Sequence, residues 1–152
     1  MSAPRRRILV VEDIALLALD LERIVTELGC EVAGTAWTRD QGIDLASRLD
    51  LDAALIDVDL RGQHSGPIAD ILADRGIPFA FLTALEPKDL PERHKQRILV
   101  NKPYTHRQVD SVLRVLLADR VVASLPTEAV APTPRPGPEP REHCDPQPCS
   151  AA

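Results

Sequence analysis

The sequence predicts an α/β domain, a doubly wound parallel sheet with helices on both faces. Three observations carry that reading. Short apolar runs recur at Ile8–Val11, Ala53–Ile56, Phe79–Leu82 and Ile98–Val100. Segments with apolar residues at helical spacing lie between them. The resulting strand–helix alternation implies parallel strands joined by right-handed crossovers.

The elements follow in order. After the first run, residues 14–28 place Leu17, Leu21, Ile24 and Leu28 on one helical face, with Asp20, Glu22, Arg23 and Glu27 between them. Gly29 is a C-terminal stop. Residues 31–36 are mixed in polarity and read as an edge strand. Thr38 to Gln41 forms a capping box, in which the threonine caps and the glutamine reaches back. It opens a helix over about 39–50, with Ile43, Ala46 and Leu49 inward. The run 53–56 is wholly apolar, as a central strand covered on both faces requires.

Residues 61–66 hold two glycines and read as a loop. Pro67 opens a short helix over 67–75, ended by Gly76. Pro78 starts the next strand. Pro87 and Pro91 disfavour a long regular helix over 86–96, and low regularity makes this segment the expected moving part. Thr105 to Gln108 is a second capping box, opening a helix with Val109, Val112, Leu113 and Leu116 on one face. The five units make a (βα)5 chain. Apolar strands belong in the middle and the polar second strand at an edge. That selects the strand order 2-1-3-4-5, the flavodoxin-like arrangement.

The domain is expected over 1–123, with a proline-rich tail over 124–152. The tail holds eight of the chain's 14 prolines, too many for a hydrogen-bonded ladder, and is expected to be extended and mobile. Net charge is −5 for the chain and −2 for the tail, leaving −3 on the domain. No basic field and few aromatic residues argue against direct nucleic-acid binding. Cys30, Cys144 and Cys149 make no disulfide framework, and His143 with the two tail cysteines falls short of a metal-ligand set. Arg5-Arg6-Arg7 precedes an apolar run too short for a secretory signal, and no segment reaches the length of a membrane span. A cytoplasmic protein without membrane contact is expected.

The chemistry lies where the apolar runs stop. They lead into Glu12-Asp13, Asp57, Thr83 and Asn101-Lys102-Pro103. If the runs are neighbouring parallel strands, these groups meet at the sheet edge where open α/β folds bind ligands. Glu12 and Asp13 alone would serve as helix-capping acids. An unpartnered carboxylate at Asp57, ending the most buried strand, would be costly. Three clustered carboxylates call for a hard cation such as Mg²⁺. Asp57 is then an oxygen nucleophile for phosphorus, and Lys102 a compact charge for a phosphoryl oxygen. Asp59 offers a side chain or a backbone carbonyl as a further ligand. Ala84, after Thr83, leaves room at the site.

These residues, taken as Val11-Glu12-Asp13, Leu55 to Leu60, Leu82-Thr83-Ala84 and Lys102-Pro103-Tyr104, resemble the receiver domain of two-component response regulators. The resemblance covers roughly 6–120. It implies phosphoryl transfer from a histidine kinase to Asp57. It implies Mg²⁺ held by Glu12, Asp13, Asp57 and the Asp59 carbonyl, and a phosphoryl group contacted by Thr83 and Lys102. It also implies a Lys102-Pro103 bond that is often cis. Pro78-Phe79, Phe81-Leu82-Thr83 and Leu90 to Arg93 are similar to a subgroup with a Phe-Ala-Thr-Gly motif, whose kinases are of HWE or HisKA_2 type. Leu82 and Ala84 replace that motif's alanine and glycine. Leu99 occupies the position where most receivers carry a switching aromatic ring, and Tyr104 is a candidate substitute.

No output domain follows in this sequence. A single-domain regulator is therefore expected, acting on a downstream protein or draining phosphoryl groups from a kinase, and catalysing only its own phosphorylation and dephosphorylation. Two alternatives stand beside it. Asp57-Val58-Asp59 also resembles the nucleophile motif of haloacid-dehalogenase-like phosphohydrolases, with Asp59 as general acid. A pseudo-receiver that binds partners without phosphorylation is the other.

Overall fold

A computed structural model describes residues 4–84 and 90–124, with side chains through 118. Strand β1 (Arg7–Val11) leads to helix α1 (Ala15–Glu27), β2 (Glu31–Ala36), α2 (Arg39–Arg48) and β3 (Ala53–Asp57). Two short strands, β4 (Asp59–Leu60) and β5 (Gln63–His64), precede α3 (Gly66–Asp74). Then come β6 (Phe79–Thr83), a 3-10 turn at Glu92–His94, β7 (Ile98–Asn101) and α4 (His106–Ser124).

The main sheet runs β2-β1-β3-β6-β7, all parallel. Counting only its own strands, this is the expected order 2-1-3-4-5. Alternation along each strand divides the core into two layers. Leu9, Val11, Ala54, Ile56, Phe79 and Phe81 face one layer, which α2 and α3 cover with residues such as Ala46, Ile68 and Leu72. Ile8, Val10, Ala53, Leu55, Ala80 and Leu82 face the other, covered by Leu21, Ile24 and Val25 of α1 and by Val109, Leu113 and Leu116 of α4. Each fully buried valine, leucine, isoleucine or phenylalanine among these stabilises the fold by roughly 1.5–3 kcal/mol. The central strands β3 and β6 are buried at every position.

Local chemistry sets the element ends. Gly29 ends α1 at φ +80°, a left-handed conformation that costs glycine little. The capping box at Thr105 forms in full, and at Thr38 the glutamine reaches back to the N–H one residue before the cap. Thr38 accepts from the Gln41 N–H at 3.2 Å, while the Gln41 side chain accepts from the Trp37 N–H. Thr105 accepts from the Gln108 N–H at 3.2 Å, and the Gln108 side chain accepts in return from the Thr105 N–H at 2.8 Å.

Two expectations need revision. The loop expected at 61–66 is partly ordered as an antiparallel ribbon, with Asp59 opposite His64 and Leu60 opposite Gln63. Its two-residue turn has φ +54° at Arg61 and +81° at Gly62, the positive pair that a hairpin turn matching strand twist requires. Among the described residues, the fourth connection holds the 3-10 turn and no α-helix. That turn is anchored rather than loose. Leu90 lies in the core, and His94 is 2% exposed, edge-on to Phe79 and Phe81 and 2.7 Å from Asp70. The last helix, α4, runs through Ser124. The expected tail over 124–152 lies, from residue 125 on, outside the described residues, as do residues 85–89. No described helix is long and apolar enough to cross a membrane.

Candidate phosphoryl and metal site

Parallel register brings the strand ends together. Val11 pairs with Ile56, Asp57 with Leu82, and Thr83 with Asn101. The residues that follow β1 and β7, Glu12 and Lys102, therefore emerge beside Asp57 and Thr83 at the carboxyl edge of the sheet. Backbone bonds fix the exits. The Glu12 N–H donates to the Ala36 carbonyl at 3.0 Å, and the Lys102 N–H to the Thr83 carbonyl at 2.8 Å.

Carboxylate oxygens of Glu12, Asp13 and Asp57 lie within 4.8 Å of one another. Glu12 is fully buried and Asp57 is 6% exposed. Glu12 accepts from the Ile14 N–H at 3.1 Å, at the entry to α1. Asp13 accepts from the Arg61 N–H at 3.1 Å, which ties the ribbon turn to the site. Asp57 accepts from the Asp59 N–H at 3.2 Å.

Asp59 differs from its neighbours. Its side chain accepts from the Gly62 N–H at 2.8 Å and closes the ribbon turn. Among the described residues, the carboxylate cluster comprises Glu12, Asp13 and Asp57 without it. The Asp59 side chain is thus engaged with the ribbon turn rather than with the cluster.

Lys102 is the cation within the cluster. Its Nζ lies 2.7 Å from Glu12 Oε2 and 2.8 Å from Asp57 Oδ2. Burial pushes the Glu12 carboxyl up to about 7, against the pull of the Lys102 hydrogen bond and with the Asp57 charge adding to the rise. Burial alone would lower the Lys102 ammonium. Its hydrogen bonds to Asp57 and Glu12 outweigh that and raise it. The site thus concentrates negative charge that one ammonium only partly offsets. Oxygen donors of this kind fit a hard divalent cation such as Mg²⁺.

Thr83 ends β6 and is 1% exposed. Leu99, opposite Phe81 in the sheet, packs half-buried against the α2–α3 core layer. Tyr104 lies on the other side of the sheet, half-buried against the α1–α4 layer, and its hydroxyl donates to the Leu17 carbonyl at 3.4 Å. The Lys102-Pro103 bond is cis. What sequence reasoning missed is the ribbon and its Arg61 N–H contact to Asp13. The available signal was Asp59 three residues before Gly62, since an aspartate often accepts from a nearby turn N–H.

No protein-family model matches the chain. It is 34% identical over 110 residues to the Phyllosphere-induced regulator PhyR of Methylorubrum extorquens, covering 70% of this chain and 41% of PhyR. The chain spans less than half the length of the curated relatives it matches. Among solved structures, SdrG from Sphingomonas melonis Fr1 is 37% identical with a TM-score of 0.67, covering 77% of this chain and 99% of SdrG. The response regulator PhyR from Brucella abortus is 30% identical with a TM-score of 0.67, covering 83% of this chain and 52% of that one.

Proposed function

The chain belongs to the receiver domain family of response regulators, and from that membership we propose that Asp57 accepts a phosphoryl group from a histidine kinase in a Mg²⁺-dependent reaction. The observation that carries the proposal is Asp57 itself. It is a nearly buried carboxylate at a strand end, 2.8 Å from an ammonium and grouped with two further carboxylates.

In the proposed step, an Asp57 carboxylate oxygen forms a bond to phosphorus as the phosphorus–nitrogen bond to the kinase histidine breaks. The product is an acyl phosphate on Asp57. Glu12, Asp13 and Asp57, with the Asp59 carbonyl, would hold the divalent ion. When bound, that ion offsets charge on the nucleophile and on the transferring oxygens. Lys102 turns from the Asp57 carboxylate to a phosphoryl oxygen. Thr83 offers its hydroxyl to another. These two contacts exist only with the phosphoryl group present, so they supply the differential interaction that any shift between conformations requires.

The output is phosphorylation-dependent binding of a downstream protein, or removal of phosphoryl groups from the kinase. The kinase is of HWE or HisKA_2 type, and the setting is cytoplasmic. Acetyl phosphate with Mg²⁺ tests the acceptor directly: wild type should gain one phosphoryl group and Asp57→Asn none.

A further inference from the structure

At the opposite end of the sheet from Asp57, an open cavity of about 600 Å³ lies between the end of α1, the start of β2 and the middle turns of α4. Leu28, Leu113 and Leu117 give it an apolar wall, with Cys30 beside them. Arg5 and Arg114 stand at its rim, both exposed, with Arg114 also bonded to Asp110 at 2.7 Å. Nothing in the proposed phosphoryl chemistry uses this cavity.

We propose that it is the docking groove for the chain's own segment 125–134, returning from the end of α4. Three features select this occupant. The first is tethering. Ala118 lines the groove and α4 ends at Ser124, a separation of about 9 Å along the helix axis. Eight extended residues reach roughly 25 Å, enough to turn back and lie along the cavity. The second is composition. Leu125-Pro126 and Ala129-Val130-Ala131-Pro132 are apolar and suit the leucine wall, and proline restricts the freedom lost on docking. The third is charge. Glu128 is the one ionisable side chain in 125–134, and residues 125–152 carry a net −2 against the rim arginines. The inference goes beyond the phosphoryl reading and is independent of it.

The test uses the full-length chain. A nitroxide attached to Val130→Cys, in a Cys30→Ala/Cys144→Ser/Cys149→Ser background, should remove most of the amide signal intensity of Leu28, Gly29 and Leu113 in nitrogen-15 NMR spectra. A second variant, Leu125→Asp/Val130→Asp, leaves every core residue unchanged and should shift the same amides. Unaltered intensity and unaltered shifts at those amides would overturn the proposal. Broadening that appears only between separately labelled chains, and grows with concentration, would also overturn it by assigning the groove to a second copy.

Discussion

The Lys102 ammonium lies 2.8 Å from the Asp57 carboxylate and joins the ends of β7 and β3 across the intervening strand β6. Its second carboxylate partner, Glu12, is wholly buried. The ammonium is therefore the internal counter-charge of the cluster as well as a candidate phosphoryl contact.

Lys102→Ala should expose that double role. Without the ammonium, Glu12 and Asp57 face each other unpaired, and breaking a buried pair of this kind costs about 3 kcal/mol. Urea unfolding in chelator at neutral pH should show that loss, and saturating Mg²⁺ should recover part of it, since a ligand bound only to the folded state stabilises it. Labelling of Asp57 should persist but slow. An unchanged unfolding midpoint in chelator would contradict the assignment of Lys102 as the counter-charge.

Asp13 also has two roles, and one substitution separates them. Asp13→Asn keeps an oxygen that can accept from the Arg61 N–H but removes a carboxylate from the cluster. Mg²⁺ affinity should fall at least about tenfold, or about 1.4 kcal/mol. Amide signals of the ribbon should stay close to wild type in the metal-free protein. A Mg²⁺ titration indistinguishable from wild type would remove Asp13 from the ligand set.

Tyr104 is the chain's only tyrosine, so phenolate absorbance reports it alone. Burial raises its hydroxyl well above the ordinary value, with the Asp20, Glu12 and Asp57 charges adding to the rise. The neutral phenol is thus favoured in the folded state. Its contribution to stability is complete below the unfolded phenol's value of about 10 and is lost as pH rises through the folded one. An alkaline titration should show ionisation delayed relative to free tyrosine, and Asp20→Asn should bring it part of the way back. Ionisation near the free value in the folded protein would contradict the packing of this ring.

Much of the fold was legible because its signals are local. The apolar run 53–56 requires two covered faces, Thr38 and Thr105 mark helix starts, and polar β2 declares itself an edge. The strand-end residues were legible for the same reason. Parallel register carries Glu12, Asp57, Thr83 and Lys102 to one edge whatever the connecting segments do. The ribbon was not legible in this way. Its turn needs a left-handed Arg61, a conformation most residues disfavour by about 1–2 kcal/mol, and its support comes from Asp13, distant in sequence. The state of 90–97 was also hidden. Pro91 argued for irregularity, but the anchoring of His94 by Asp70, Phe79 and Phe81 depends on tertiary contacts across α3 and β6.

The most direct measurement is intact-protein mass spectrometry, with peptide mapping, after incubation with acetyl phosphate. The account predicts a single phosphoryl group on Asp57 in wild type, dependent on Mg²⁺ and absent in Asp57→Asn. No labelling of wild type by either acetyl phosphate or a competent histidine kinase, or equal labelling of Asp57→Asn, would contradict it.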